Sequence, residues 1–274
     1  MTEAALHPEN YGFLRDYVYR ESGIVLDGDK NYLLEARLMP IVNQMRLGTL
    51  NDLCAALRSA AGGPSLKQQI VEAMTTNETF FFRDPAQYEA LRLNVLPGLI
   101  AQRADTRKMS FWSAAASTGQ EAYSLAMMLC EMGLRDWRIS ILGTDLNNRV
   151  LERARAGRYM QLDVNRGLPV GYLLKYFDRA GLEWQLRDEI RRMVEFKSFD
   201  LRQSMMALGP FDMVFCRNVL IYFDVQAKKR ILEQIHGTLF RGGYLLLGGS
   251  ETTLNLTSCF ERRILGQTVL YQAP

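Results

Sequence analysis

Histidine, cysteine and surplus charge are all scarce in this chain. Its 274 residues include two histidines, His7 and His236, and four cysteines, Cys54, Cys130, Cys216 and Cys259. None of these forms a C-x-x-C pair or a close His/Cys cluster, so a metal centre is not expected. Each cysteine lies among apolar residues, as reduced core thiols of a cytoplasmic protein do. Lys and Arg number 33 against 30 Asp and Glu, a net charge of +3. That is too little to hold a nucleic acid by bulk electrostatics. The first residues, MTEAALHPEN, lack a basic segment followed by an apolar one, so no secretory signal is expected. No apolar run approaches the ~18–20 residues that span a bilayer, which argues against membrane insertion. Without secretion, the match of Asn77-Glu78-Thr79 to a glycosylation acceptor is read as accidental. The G-x-G-x-x-G of dinucleotide folds is absent too, which weakens any pyrophosphate reading.

What is present is an ordinary globular balance. Hydrophobic residues make up 48% and charged residues 23%, enough apolar content to exclude extended disorder and to bury a core without staples. Residues 10–74 read as helices alone. In Lys30–Leu47, the residues Leu33, Leu34, Leu38, Ile41, Val42 and Met45 fall on one helical face. Pro40 lies within that pattern and is expected to kink or split the helix. Lys30 and Arg37, with Arg46 further along, offer a basic stripe. Residues 1–76 hold seven Lys/Arg and nine Asp/Glu, so any basic surface there is local. Gly62-Gly63-Pro64 marks a break, after which Ser65 is expected to cap a helix reaching Met74.

The segment TTNETFFFRDP, residues 75–85, resembles neither of its neighbours. Asp84 and Pro85 suit the N-cap and first position of a helix over PAQYEALRLNVLPGLI, which leaves Arg83 just outside its start. From residue 108 onward strands alternate with helices. Strands are expected at Met109–Ala115, Arg138–Thr144, Val194–Phe199, Phe211–Cys216, Tyr244–Leu247 and Thr268–Tyr271. Helices are expected at Gln120–Met132, Asn147–Ala156 and Asp224–Phe240. This rhythm predicts an α/β, doubly wound parallel sheet. Residues 158–193 interrupt it and read as an insertion with a hairpin around Ala180-Gly181.

Ligands of such sheets bind at the carboxyl ends of the strands. The first strand runs into SAAASTGQE, whose small residues either admit a ligand or serve helix–sheet packing. Asp145 ends the second strand, where a carboxylate accepts from ribose hydroxyls or caps the next helix. Asp200 ends the third, placed for an adenine amino group or for a strand-end turn. Arg217-Asn218 follow the fourth, and Tyr222 either spans core and surface or projects its hydroxyl into the cleft. Together these describe an adenosine site without a pyrophosphate cradle, for which S-adenosylmethionine is the natural candidate.

TTNETFFFRD, WSAAASTGQEAYSLA, GTDLNNRVLERARAGRY and FCRNVLIYFD, in this order and spacing, resemble the bacterial chemotaxis receptor methyltransferases of the CheR type over essentially the whole chain. The resemblance implies an all-helical N-terminal domain that docks on receptors (1–74), a linker contributing to the cofactor site (75–90), and a Rossmann-like methyltransferase domain (91–274). The last carries a small antiparallel β-subdomain at 158–193. It implies S-adenosylmethionine-dependent methyl esterification of glutamates on the cytoplasmic helical bundle of methyl-accepting chemotaxis receptors, with S-adenosylhomocysteine as product and no metal. It implies Asn77, Thr79, Arg83, Glu121, Asp145, Asp200, Leu201, Arg217 and Asn218 as cofactor contacts. Arg83 and Tyr222 are implied at the transferring methyl. Gln120 stands where relatives often have Glu, and Asp200 where Asn is frequent. The rival readings are a methyltransferase for another acceptor and a receptor-binding adaptor without turnover. A glutamate carboxylate is ionised at neutral pH and needs no general base, which suits a chain so poor in histidine.

Overall fold

The computed structural model describes residues 6–26, 28, 31–59 and 63–274. It divides into two compact units, one holding residues up to Thr76 with Tyr222–Ala227, the other Asn77–Ile221 with Lys228–Pro274. Among the described residues no helix is long and apolar enough to cross a membrane.

The first unit is built from helices α1 (Pro8–Ser22), α2 (Asn31–Gln44), α3 (Leu50–Arg58) and α4 (Gly63–Met74). Thr49 and Asp52 form a capping box at the start of α3, each satisfying the other's backbone amide. Leu14, Val18, Leu34, Leu38, Val42, Leu53 and Ile70 form the centre of its core. Pro40 neither ends nor divides α2. The apolar face is buried on both sides of it, through Leu34 and Leu38 before and Ile41 and Val42 after, and that packing carries the helix past the missing amide. Ser65 does not cap α4, because the helix already begins at Gly63. Gly62 and Lys30 lie outside the described residues. Arg37 is not a free docking charge: its guanidinium donates to the carbonyls of Met74 and Thr75 and to the Thr76 hydroxyl, at 2.5, 3.1 and 2.9 Å. It thus satisfies orphan carbonyls at the end of α4. Arg46 remains exposed.

In the second unit, α5 (Pro85–Ala90) passes through a π-helical turn (Leu91–Val95) into α6 (Leu96–Arg103). There follow β1 (Lys108–Ala114), α7 (Gln120–Glu131), β2 (Arg138–Asp145) and α8 (Asn148–Ala156). The insertion contains β3 (Arg158–Met160), α9 (Gln161–Asn165), α10 (Val170–Tyr176), β4 (Phe177–Ala180), β5 (Glu183–Leu186) and α11 (Asp188–Arg191). The main alternation resumes with β6 (Val194–Ser198), β7 (Phe211–Cys216), α12 (Val225–Gly237, its first turn counted with the other unit), β8 (Leu239–Leu247), β9 (Glu261–Leu265) and β10 (Thr268–Gln272).

Seven strands form one sheet in the order β6-β2-β1-β7-β8-β10-β9. The strands β6, β2, β1, β7 and β8 are parallel, but β10 runs antiparallel to both β8 and β9. The sheet is therefore mixed, which corrects the all-parallel expectation. β9, ERRIL, is an exposed and charged edge strand with none of the apolar signature of a buried one. The insertion forms a separate antiparallel sheet, β3-β5-β4, with its hairpin at Gly181. Chain order reverses at β1, which lies between β2 and β7, so the switch point opens at the carboxyl ends of these strands.

Candidate active site

Beyond β1 the backbone takes left-handed conformations at alternate residues: Ala115 (φ 62), Ser117 (φ 51) and Gly119 (φ 92). Non-glycine residues hold such angles only where the surroundings over-determine them. Here Ala116 N–H donates to the Thr144 carbonyl at 2.8 Å, and Ser117 N–H to Asp145 Oδ2 at 2.9 Å. The Ser117 hydroxyl donates to the Asn77 carbonyl, and Tyr159 of the insertion donates its hydroxyl to the Thr118 carbonyl, each at 2.8 Å. A Cβ on Gly119 would lie 3.0 Å from both Ala154 Cβ and the Phe196 ring, so this turn packs too closely for a larger residue.

Asp145 is only 8% exposed. Its Oδ1 accepts from Asn147 N–H at 2.9 Å, while the Asn147 side chain caps α8. The turn and the cap are thus divided between two residues. Burial pushes the Asp145 carboxyl above its ordinary range, although the amides of Asn147, Ser117 and Leu146 pull it down. Three amides leave one of the four lone-pair sites of this fixed carboxylate, so it can still accept from a hydroxyl.

Arg217, directly after β7, is buried, with 1% of its side chain exposed. Its Nη1 meets Glu121 Oε2 at 3.0 Å; its Nη2 meets Asp84 Oδ2 at 2.7 Å and the Arg83 carbonyl at 2.8 Å. Glu121 also accepts from the Ser113 hydroxyl at 2.7 Å. Burial alone would lower the Arg217 pKa, but Glu121, Tyr88 and Asp84 more than offset it, leaving the guanidinium firmly charged. Arg217 Nε and the hydroxyl of Tyr88 are buried without partners among the described residues, and the Arg217 guanidinium lies 5.9 Å from the Tyr88 ring centroid. Asp84 does not cap α5 as expected: its φ is 60 and its carboxylate faces Arg217 instead.

Arg83 is held between two left-handed residues, Phe82 (φ 50) and Asp84 (φ 60). Its Nη1 donates to the Glu78 carbonyl at 3.1 Å. Asn77 and Thr79 are half-buried on the same segment. Phe81 packs edge-on against Tyr159 and Phe177 of the insertion, and Phe82 against Tyr88 and Tyr172. Beyond β6, Leu201 is buried, and both Asp200 oxygens are already gripped by Arg202, at 3.0 Å from Nε and 2.6 Å from Nη2.

Sequence reasoning missed Glu251. Its carboxylate accepts the backbone amides of Asn218, Val219, Leu220 and Gly248 at 2.7 to 3.0 Å, fixing the loop that follows Arg217. Asn218 is itself left-handed, with φ 58. The available signal was an acidic residue just after Gly248-Gly249 at a strand end. Tyr222 belongs to the first unit, where its carbonyl accepts from Val25 N–H at 2.9 Å.

Residues 77–267 match the family model described as CheR methyltransferase, SAM binding domain, and residues 9–75 match CheR methyltransferase, all-alpha domain. Chemotaxis protein methyltransferase 1 of Pseudomonas aeruginosa is 41% identical over 270 residues, 96% of this chain and 97% of its own length. Chemotaxis protein methyltransferase Cher2 of Pseudomonas putida is 40% identical, covering 94% of this chain and 96% of its own. The chemotaxis protein methyltransferase of Vibrio parahaemolyticus is 38% identical over 99% of both chains.

Proposed function

The chain belongs to the CheR methyltransferase family, S-adenosylmethionine-dependent enzymes of chemotaxis, and on that premise we propose that it esterifies glutamate side chains of chemoreceptor cytoplasmic helices. The observation that carries this reading is Arg83. A guanidinium suited to a carboxylate sits between two left-handed residues, and its backbone is tied through Arg217 to Glu121 at the start of α7. When bound, S-adenosylmethionine supplies a methyl group on a sulfonium, so transfer to a carboxylate oxygen leaves a methyl ester and the neutral thioether S-adenosylhomocysteine.

The donor set fits that ligand. Asp145 is a pre-ordered acceptor for a ribose hydroxyl. Glu121, held in place by Arg217, keeps acceptor capacity for the ammonium of the ligand's amino-acid part. Asn77 borders the same turn through its carbonyl on the Ser117 hydroxyl, and Thr79 follows two residues on. Leu201 offers an apolar edge for adenine, whereas Asp200 reaches adenine only with Arg202 attached. Arg83 holds the acceptor carboxylate and, with the glutamate already ionised, the chain has to align and desolvate it rather than remove a proton. Tyr222 orients the acceptor at the transferring methyl. The reading carries a cytoplasmic location and receptor partners with it.

The test is transfer of labelled methyl from S-adenosylmethionine to receptor cytoplasmic fragments. Base-labile label is expected, because esters hydrolyse where methylated amines do not. Base-stable label would indicate another acceptor. Receptor binding without transfer would indicate an adaptor.

A further inference from the structure

Beside Arg83 stands a second guanidinium that the proposed reaction has not used. Arg166, at the end of α9, lies over the Phe80 ring at 4.3 Å from its centroid, and Arg83 lies over the same ring at 5.5 Å. Arg166 Nη2 meets Glu78 Oε1 at 2.5 Å. Among the described residues Glu78 is the one carboxylate within ion-pair distance of Arg166. Both partners are more than half exposed, at 53% and 54% of their side chains. Arg166 holds the Glu78 carboxyl below its ordinary range by hydrogen bond and by charge, and Arg83 adds to that. An exposed pair of this kind contributes little to folding and exchanges readily for another carboxylate.

The backbone around it is built closely. Gly167 has φ 83, and a Cβ there would lie 2.0 Å from the Phe81 carbonyl oxygen. Arg166 is therefore presented from a turn pressed against the segment that carries Arg83. Two guanidinium groups over one ring match two carboxylates on neighbouring turns of an acceptor helix, where residues three or four apart face the same way.

We propose that Arg166 binds a second carboxylate of the acceptor, next to the one at Arg83, and that Glu78 occupies it until the acceptor arrives. This rests on the proposed function and narrows its substrate to helices with paired acidic residues. Arg166 is thus a specificity-determining residue, and Glu78 competes with the acceptor.

The test uses the full chain and two receptor cytoplasmic fragments. One carries several glutamates, and the other has all but one replaced by glutamine. Arg166→Ala should raise KM for the first fragment about five- to tenfold with kcat and S-adenosylhomocysteine affinity nearly unchanged. It should leave KM for the second fragment unaltered. Arg166→Lys should fall between, and Glu78→Gln should lower KM for the first fragment. An equal rise with both fragments, or a fall in kcat with KM unchanged, would overturn the proposal and leave Arg166 as a brace for the segment. If the wild-type chain transfers no methyl, the proposed function itself fails. Direct binding of the two fragments to the same variants then decides the role of Arg166 alone.

Discussion

Arg217 Nη2 donates at 2.8 Å to the backbone carbonyl of Arg83, 134 residues away in sequence. One buried guanidinium thereby couples the start of α7, through Glu121, to the residue proposed to hold the acceptor. An ammonium lacks the planar fork needed to serve Glu121, Asp84 and a carbonyl at once. Arg217→Lys should therefore lower methyl transfer by at least about tenfold. Arg217→Ala leaves Glu121, with only 13% of its side chain exposed, beside no cation and should cost about 3–5 kcal/mol of stability. Urea unfolding and single-turnover kinetics measure the two effects, and a lysine variant with wild-type turnover would remove the coupling.

Asp145→Asn should weaken S-adenosylhomocysteine binding by about 1.5–3 kcal/mol, the loss of a charge-assisted hydrogen bond from a ribose hydroxyl. Asparagine is the milder variant, because it keeps one oxygen acceptor, whereas alanine strips the acceptors of both the Ser117 and Asn147 amides. The Asp145 pKa is raised, so the carboxyl takes up its proton at a higher pH than an ordinary aspartate. Wild-type affinity should therefore decline as pH falls through that raised value, whereas the Asp145→Asn variant should show no such step. For stability the sign is reversed from that of a salt-bridged carboxylate: the ionised form is disfavoured in the fold, so its cost is present at neutral pH and vanishes below about pH 4. Calorimetry across this range checks both, and identical pH profiles would separate Asp145 from the ligand.

Much of this site could be read along the chain, and the reason is local. Asp145 and the small residues beyond β1 stand where strand–helix alternation puts ligand-facing groups. Arg217 stood out as a candidate but not as a tie, because its partners lie in distant segments. Asp84 looked like a helix cap because Asp-Pro favours one, yet a buried arginine outcompetes the α5 amides for its carboxylate. Arg37 looked like a docking charge because helical spacing cannot reveal that the end of α4 lies beside it. β9 stayed hidden because an exposed edge strand carries no apolar pattern.

Glu251→Ala should release four backbone amides and cost about 1–3 kcal/mol, with methyl transfer falling further than stability as the loop beyond Arg217 loosens. Glu251→Gln keeps one oxygen acceptor and should be milder in both respects. Thermal unfolding and turnover measured side by side check this. Wild-type values for the alanine variant would show that the loop holds its shape unaided.

Gly167→Ala combines a left-handed φ with a Cβ 2.0 Å from the Phe81 carbonyl, so it should cost about 1–3 kcal/mol and reduce acceptor turnover. Gly171→Ala, with open space around its Cβ, is the matched control and should be nearly neutral. Equal unfolding midpoints for the two variants would contradict the close packing described here.

The central claim is that the methyl group ends on glutamate carboxylates. Incubating the protein with S-adenosylmethionine and a receptor cytoplasmic fragment, then mapping peptides by mass spectrometry, tests it most directly. The account predicts added methylene mass on glutamate residues alone, lost on mild alkaline treatment and absent with Arg83→Lys. Methyl groups on lysine, arginine or a small molecule, or glutamate methylation undiminished in Arg83→Lys, would contradict it.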